Sequence, residues 1–284
     1  MINGQVQTLS LPRKPLENVT VMWLGKGLAT HTDPNGIFNL ETVGAQDNWI
    51  FFEKSGYFAD SSFITWGNQR TITRDIFLNT QPLLDSLNLY SVILNRYPSL
   101  QTEQAVIEAW ISDPDNDVDT VKVLIPVSDV MYTIPYNTTV KSYERVFSIF
   151  DLEIERLEEI VGYNFQITIY DVFDHVLQFE TGSIIRVIRD EVHFQSPSGN
   201  ELTGATPTLV WEVFNPGFNF TYTLEIFTAE ITPQLQWRKE YIDMGITTNT
   251  VDSPLPAGPY YWIIWAIDSF GNRTRSKPAS FTVE

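Results

Sequence analysis

The feature that most constrains this chain is a turn signal between two short apolar-patterned runs, because similar signals recur to the C-terminus. The first clear example spans residues 33–36 and reads Asp-Pro-Asn-Gly. Pro34 presets φ for the first corner, the Asp33 carboxylate can cap the turn, and Gly36 takes the position where a side chain would clash. The sequence therefore predicts a β-hairpin at this turn. The recurrence of such turns predicts an all-β chain folded as a series of small β-sandwiches.

Length and composition agree with this fold class. The chain has 284 residues, of which 43% are apolar and 13% aromatic, and this content is enough to fill packed cores. The spacing of the turn signals divides it into three predicted modules, at 1–80, 81–189 and 190–284. The formal net charge of −17 argues against nucleic acid as a partner, because so acidic a surface repels phosphate backbones.

Cysteine usage and the N-terminus bear on the compartment. The chain has no cysteine, which excludes disulfides, thiolate zinc sites and cysteine nucleophiles and favours a bacterial source over an animal secreted one. No apolar run approaches the roughly 20 residues of a membrane span, and the first residues lack the pattern of a signal peptide. We expect an exported bacterial protein, extracellular or on the cell surface, whose leader has been removed.

The first predicted module, residues 1–80, carries a set of landmarks in a fixed order. They are the segments 4–6, 15–19, 32–38, 54–57 and 75–78. Together they resemble the carboxypeptidase regulatory-like domain, which implies a transthyretin-like β-sandwich. That domain is the non-catalytic companion of a metallopeptidase. A zinc peptidase needs converging imidazole and carboxylate ligands, whereas His31, His175 and His193 lie in three different segments without a zinc-binding spacing.

The second predicted module, residues 81–189, shows strand-like alternation. Ile107, Ala109 and Ile111 alternate with less apolar neighbours, as in a strand that is half buried. Apolar residues over 151–161 follow a helical period and predict a short helix there, with Asp151 as its cap. The runs 109–121 and 162–171 resemble a bacterial immunoglobulin-like domain of the cadherin or polycystic-kidney-disease type.

The third predicted module, residues 190–284, ends in a recognisable strand pattern. A leucine, a glycine turn and a tyrosine precede alternating apolar residues in the run 255–267. This pattern resembles the penultimate strand of the fibronectin type III domain. The resemblance implies that Tyr260 is a corner tyrosine whose hydroxyl bonds backwards to the chain.

Four alternating aspartates form the first candidate site. They are Asp113, Asp115, Asp117 and Asp119. Carboxylates this close repel one another unless they are solvated or bridged by a cation, and Ca²⁺ accepts such oxygen ligands. The glycine and distal glutamate of an EF-hand are missing, and a solvated turn between two strands accounts for the same residues. Calcium is the cofactor that we consider here; any role would be to rigidify the loop or a module junction.

A strand that is apolar on both faces forms the second candidate site. Residues 260–267 alternate so that one face holds Tyr260 and Trp262 while the other holds Tyr261 and Trp265. Exposed aromatic rings stack on sugars, so Tyr261 and Trp265, joined by Trp237, would form a carbohydrate platform. Burial against the second module or within a wider sheet is the alternative explanation for the second face.

The sequence contains no phosphate-binding glycine loop, nucleophile elbow or dinucleotide fingerprint. We therefore expect a non-catalytic surface protein that acts in adhesion, scaffolding or spacing, with a protein or glycan of the cell surface as its partner. A lipid anchor would lie outside this sequence. Two alternatives remain open: a carbohydrate-binding accessory protein, and the non-catalytic part of a larger surface hydrolase.

Overall fold

The computed structural model describes residues 1–24, 26–41, 46–127, 129–180 and 182–284. Within these ranges the regular structure consists of 25 β-strands and one 3-10 turn, so the protein is all-β, as the sequence predicts. None of the helical structure described there is long and apolar enough to span a membrane. The chain forms two compact units. Unit 1 comprises Met1–Asp85, Ile111–Val121 and Thr168–Gln178, and unit 2 comprises Ser86–Trp110, Lys122–Ile167 and Phe179–Glu284.

The N-terminal part of unit 1 is a β-sandwich. Its strands are β1 (Ile2–Thr8), β2 (Thr20–Trp23), β3 (Leu28–His31), β4 (Ile37–Leu40), β5 (Asn48–Glu53), β6 (Asp60–Ile64), β7 (Ile72–Thr73) and β8 (Ile76–Leu78). One sheet has the order β4-β1-β7 with β8 also paired to β1, and the other has the order β3-β2-β5-β6. Alternate residues of both sheets, such as Val6, Val21 and Phe52, are buried in a common core.

The hairpin predicted at residues 33–36 is wrong, although the turn itself is present. The strands on either side pair with different partners, because β3 pairs with β2 whereas β4 pairs with β1. The turn therefore carries the chain from one sheet to the other. Asp33 caps it as expected: its Oδ1 accepts the backbone N–H groups of Asn35 at 2.9 Å and Ile37 at 2.8 Å. Gly36 has φ +72°, and an added Cβ would lie 2.4 Å from the Val6 carbonyl oxygen.

Eight strands follow in the middle of the chain. They are β9 (Leu83–Arg96), β10 (Leu100–Ser112), β11 (Val118–Ile125), β12 (Val130–Thr133), β13 (Tyr136–Asn137), β14 (Ser142–Ser148), β15 (Gln166–Asp171) and β16 (Val176–Glu180). One sheet has the order β12-β11-β15-β16, and the strands β13-β14-β10-β9 form one side of a larger sheet. The alternation predicted around Ile107 is confirmed, since Ile107 and Ala109 are fully buried.

The helix predicted near 151–161 is reduced to one 3-10 turn at Leu157–Ile160. Glu153 has φ +54°, outside the helical region, so a helix cannot pass through it. Asp151 accordingly caps no helix, and its Oδ2 accepts the backbone N–H of Ser148 at 2.8 Å. Leu157 and Ile160 are buried, as their spacing indicated.

The last strands all belong to unit 2. They are β17 (Phe194–Ser196), β18 (Glu201–Thr203), β19 (Thr208–Trp211), β20 (Phe220–Thr228), β21 (Leu235–Asp243), β22 (Thr248–Thr250), β23 (Gly258–Asp268), β24 (Arg273–Arg275) and β25 (Ala279–Val283). A three-stranded sheet has the order β17-β19-β22. A ten-stranded sheet follows the path β13-β14-β10-β9-β24-β23-β20-β21, with β25 paired to β23 and β18 to β25.

One face of β23 forms the core of this part of unit 2. Trp262, Ile264 and Ala266 are fully buried, which confirms the predicted alternation. The Tyr260 hydroxyl donates to the Pro256 carbonyl oxygen at 2.9 Å, so the backward bond expected of a corner tyrosine is present. The boundaries predicted for three modules stay a prediction.

Candidate functional site

A parallel pairing deep in unit 2 joins strands that are distant in sequence. β24 pairs with β9 in the register Arg273 with Val92, Thr274 with Ile93 and Arg275 with Leu94. This pairing makes one sheet from strands that the sequence assigned to the second and third modules. We call the buried polar residues along it the polar seam; they are Ser91, Asn95, Asp268, Asn272 and Thr274.

Hydrogen bonds within the protein satisfy the polar seam. The Asn272 Oδ1 accepts the backbone N–H of Ser91 at 3.0 Å, and the Asn272 Nδ2 donates to Asp268 at 3.1 Å. The Asn95 Nδ2 donates to the Arg275 carbonyl oxygen at 2.9 Å. Arg186 forms an ion pair with Asp268 at 3.2 Å. An unpaired buried polar group costs free energy, so this network favours the observed register of β9 and β24 over registers shifted along the strands.

The second face of β23 is only partly covered. Ile263 is buried, whereas Tyr261 and Trp265 are half-buried. Tyr261 stacks on Phe227, with 5.4 Å between ring centroids. The Trp265 Nε1 donates to Glu225 at 2.9 Å, and its ring packs against an apolar cluster formed by Tyr90, Val92 and Val106. Both half-buried aromatic residues therefore have structural contacts within unit 2.

Trp237 does not lie on this face. It is 7% exposed and belongs to the core between the sheets of unit 2, and its Nε1 donates to Asp252 at 2.8 Å. The platform predicted from Tyr261, Trp265 and Trp237 is thus corrected to exclude Trp237. Its strand, β21, shows too little alternation for the sequence to reveal which face it would occupy.

A concave site lies next to Tyr261. It has a volume of about 400 Å³ and is lined by Tyr97, Tyr261, Ile263, Arg275 and Pro278, among others. The Arg275 Nε is buried and has no hydrogen-bond partner among the described residues. Burial, followed by the charge of Arg96, lowers the pKa of Arg275 below its ordinary value. An aromatic wall beside a partly desolvated guanidinium is suited to a ligand that carries a carboxylate.

Sequence reasoning missed Arg275 and Tyr97. They come from β24 and from the loop after β9, and no local motif links these two segments. Only the parallel pairing of the strands brings them together.

The predicted calcium loop lies in unit 1 between β10 and β11. The Asp113 Oδ2 accepts the backbone N–H groups of Asp117 at 2.6 Å and Val118 at 3.1 Å. The Asp115 Oδ2 accepts both the backbone N–H and the hydroxyl of Thr80, at 2.8 and 2.6 Å. These two carboxylates therefore fold the loop and tie it to the chain after β8.

The other two aspartates of the predicted site differ in their exposure to solvent and in their hydrogen bonds. Asp119 is exposed and accepts a hydrogen bond from the Thr120 hydroxyl at 2.8 Å. Both carboxylate oxygens of Asp117 are buried and make no hydrogen bond of good geometry among the described residues. Burial raises the pKa of Asp117 above its ordinary value, the Asn79 side chain lowers it as a nearby hydrogen-bond donor, and the charges of Asp113 and Asp171 raise it further.

Two residues that the sequence did not single out lie beside this loop. The Asn79 Nδ2 donates to the Asp171 Oδ2 at 2.8 Å, and the buried Asn79 Oδ1 has no hydrogen-bond partner in the described part of the chain. Asp171 also bonds the ring of His175 at 2.7 Å. Throughout the described ranges, no three histidine or acidic side chains converge as a complete set of metal ligands.

Comparisons with known proteins yield distant structural likenesses only. No family model matches the chain, and no curated protein matches it. The major pilin subunit BcpA of Bacillus cereus covers 100% of this chain and 95% of its own, at 10% identity and a TM-score of 0.30. The fibronectin(III)-like modules of Clostridium thermocellum CbhA cover 72% of this chain and 93% of their own, at 12% identity and a TM-score of 0.33.

A third likeness is to a 1.5-MDa bacterial ice-binding adhesin. It covers 94% of this chain and 87% of the solved chain, at 12% identity and a TM-score of 0.27. Likenesses at these scores assign neither a family nor a function.

Proposed function

We propose that the protein is a non-catalytic structural protein of the bacterial cell surface, in which unit 2 acts as one stiff element for spacing, scaffolding or adhesion. The observation that carries this proposal is the pairing of β24 with β9 along the polar seam. A flexible linker between two sandwiches leaves them free to reorient. A shared sheet with buried hydrogen bonds removes that freedom, which suits a protein that must hold a partner at a fixed distance.

The proposal extends to the first module, which we infer to be a carboxypeptidase regulatory-like domain on the strength of its sequence landmarks. Its two-sheet sandwich in unit 1 is compatible with that family. We infer a surface location from the sequence, because the chain has neither cysteines nor recognisable catalytic motifs. Fractionation of the source cells tests it: recovery from the surface or medium is expected, and recovery only from the cytosol would refute the placement.

Stiffness of unit 2 can be measured with spin labels, because the chain has no cysteine of its own. Val146 in β14 and Leu235 in β21 are exposed and lie towards opposite ends of the ten-stranded path. Cysteines at these two positions should give a single narrow distance distribution. A broad distribution in the otherwise unchanged protein would contradict the proposal.

A second pair of spin labels distinguishes loosening of the polar seam from unfolding of the whole of unit 2. Leu202 in β18 and Leu235 are both exposed, and neither strand pairs with β9. With Ser91→Ala and Asn272→Ala combined, the distance between positions 146 and 235 should broaden while that between 202 and 235 stays narrow. Equal broadening of both would mean that the seam has no special role in stiffness.

A second candidate function is the recognition of acidic carbohydrate, and the concave site of Tyr97, Tyr261 and Arg275 favours it. The Arg275 guanidinium lines the site and offers its positive charge to a carboxylate, and the tyrosine rings offer apolar faces to a sugar. A glycan array that includes uronic-acid polymers tests this function. Binding should be lost in Tyr261→Ala and Arg275→Gln and weakened in Trp265→Ala; no binding by the unaltered protein would remove this candidate.

A further inference from the structure

Unit 2 has an open cleft on the ten-stranded sheet, which we call the threonine cleft. It lies across the neighbouring strands β24, β23, β20 and β21, so its two sides are about 14 Å apart at the usual spacing of strands. Its volume is about 560 Å³, within the range of about 300–1,000 Å³ that is typical of small-molecule sites. Among the residues that line it are Thr221, Thr223, Glu240, Tyr241, Ile267 and Arg273.

Alternation along β20 places the floor of the cleft on the face of the sheet that is turned away from the core. Tyr222 and Leu224 are buried between the sheets of unit 2. The side chains of Thr221 and Thr223 therefore point the other way, and Thr221 lies beside Ile267 of β23. Neither threonine hydroxyl makes a hydrogen bond to another described residue. The floor thus offers a ligand two hydroxyl groups, each of which can donate and accept, and one apolar side chain.

Tyr241 forms one side of the cleft, and an irregularity of β21 holds it there. The pairing of β20 with β21 shifts register between Tyr222 and Leu224, so β21 contains one extra residue at this point. Tyr241 has φ +57°, a left-handed conformation that is rare for a bulky residue, and its side chain is 82% exposed. Such a bulge turns a side chain in a direction that a regular strand does not give it. A costly backbone conformation that presents an exposed ring beside a cleft indicates a functional ring.

Arg273 of β24 lines the opposite side of the cleft. It pairs with Ile267, and its Cζ lies 4.3 Å from the centroid of the Tyr90 ring. Its Nε donates to the Gly271 carbonyl oxygen at 3.0 Å, whereas its Nη1 and Nη2 make no hydrogen bond to another described residue. The contact with the tyrosine ring therefore positions the guanidinium, while its terminal N–H groups remain donors for a ligand.

The groups that line the cleft favour a neutral, hydroxyl-rich ligand. Glu240 and Asp268 lie in it beside Arg273, so the cleft has no excess of positive charge that would attract an anion. A purely apolar ligand would take the threonine hydroxyls and the guanidinium out of water without giving them partners. A sugar has hydroxyl groups that both donate and accept, and it has an apolar CH face that can stack on the Tyr241 ring.

We propose that the threonine cleft binds a neutral carbohydrate, with the Tyr241 ring as its stacking surface. Thr221, Thr223 and Arg273 supply hydrogen bonds to the sugar hydroxyl groups. This binding site is separate from the concave site beside Tyr261, and it takes a neutral rather than an acidic sugar. It also does not depend on the stiffness of unit 2, so the spin-label measurements and the binding measurements can fail independently of one another.

A glycan array that carries neutral oligosaccharides of glucose, mannose, galactose and xylose beside uronic-acid polymers tests the proposal. The full-length protein should bind at least one neutral oligosaccharide, which then serves as the probe in titration calorimetry. Tyr241→Ala should weaken binding of this probe at least about tenfold, and Thr223→Val at least about threefold. Tyr241→Phe keeps the ring and should stay within about threefold of the unaltered protein. Binding of no neutral glycan, or of uronic-acid polymers alone, would overturn the proposal.

Two further variants separate loss of the site from loss of folding. Glycine adopts a φ of +57° without the cost that tyrosine bears, so Tyr241→Gly should melt at the same temperature as the unaltered protein or at a higher one. It should nevertheless bind the neutral probe as weakly as Tyr241→Ala does. Tyr97→Ala alters the other concave site and should leave binding of the neutral probe within about twofold. Undiminished binding by Tyr241→Gly, or equal losses in Tyr97→Ala and Tyr241→Ala, would overturn the proposal.

Discussion

Asn272 accepts the backbone N–H of Ser91 through its side-chain oxygen at 3.0 Å, although 181 residues separate the two in the chain. Both residues are fully buried. The Asn272 side-chain oxygen takes the place of a backbone carbonyl where β9 approaches β24. It thereby satisfies a backbone N–H at the end of the parallel pairing. Unit 2 thus depends at this point on a single amide.

Removal of that amide should destabilise unit 2 strongly. Asn272→Ala leaves the Ser91 N–H and part of Asp268 without a partner, which we expect to lower the free energy of unfolding by about 2–3 kcal/mol. Urea denaturation followed by tryptophan fluorescence measures the change. Asn215 is exposed, so Asn215→Ala is the control and should change stability by less than about 0.5 kcal/mol. Equal effects of the two variants would contradict the importance of the seam.

The corner tyrosine offers a smaller test. Tyr260→Phe removes one hydrogen bond to the Pro256 carbonyl oxygen and leaves the buried ring in place, so we expect a loss of about 1 kcal/mol. The same change at Tyr241, which is 82% exposed, should be neutral. Melting temperatures of both variants, recorded side by side, check the difference; an unchanged melting temperature for Tyr260→Phe would show that the bond adds no net stability.

Substitution of two glycines in unit 1 distinguishes the free-energy cost of an unfavourable backbone conformation from that of a steric clash. Gly36 and Gly56 have φ values of +72° and +79°, but only at Gly36 would an added Cβ meet a backbone atom, at 2.4 Å. Gly56→Ala should therefore cost about 1 kcal/mol, from conformation alone. Gly36→Ala should cost about 3 kcal/mol or more, since the turn must also shift. If urea denaturation gave the same loss of unfolding free energy for both variants, the turn would accommodate the added methyl group without further cost.

A partly exposed cluster of one arginine and two glutamates in unit 2 predicts a pH dependence of stability. The Arg189 guanidinium hydrogen-bonds Glu103 and Glu158, at 2.7 and 2.6 Å, and holds the pKa of both carboxyls below their ordinary value of 4.5, against the effect of burial. Because the folded pKa values are depressed, their contribution to stability is complete above the unfolded value. It is lost as the pH falls through the lower folded values.

Arg189→Gln should remove this dependence. Solvent screens the contact to Glu158, which is 45% exposed, so at neutral pH we expect the variant to be less stable by only about 1 kcal/mol. Its free energy of unfolding should fall less than that of the unaltered protein between about pH 5 and about pH 3. Glu155→Gln removes an exposed carboxylate and should leave the slope unchanged. Parallel slopes for Arg189→Gln and the unaltered protein would show that Arg189 is not the source of the acid sensitivity.

Features set by neighbouring residues were predictable from the sequence. The two faces of β23 and the bond of Tyr260 follow from alternation and from a short local pattern. The turn at residues 33–36 was also found correctly, because its residues act on their own backbone. The passage from one sheet to the other was not predicted, since it depends on pairing with β1 and β2, and no signal within the turn residues specifies those partners.

In the candidate sites, too, locally encoded features were predictable from the sequence and long-range contacts were not. Alternating aspartates identified the loop of Asp117, but Asn79 follows β8 and Asp171 ends β15, and no local signal predicts that these segments approach the loop. Trp237 was misplaced because an aromatic residue in a weakly alternating strand can occupy either face. Positive φ at Glu153, which interrupts the predicted helix, is likewise a product of the surrounding fold rather than of a glycine or asparagine signal.

The parallel partner of β9 has a consequence for the newborn chain. Val92 of β9 leaves the ribosome 181 residues before its partner Arg273. Until β24 has been made, one edge of β9 is therefore an open template for foreign strands. Docking of β24 closes that edge.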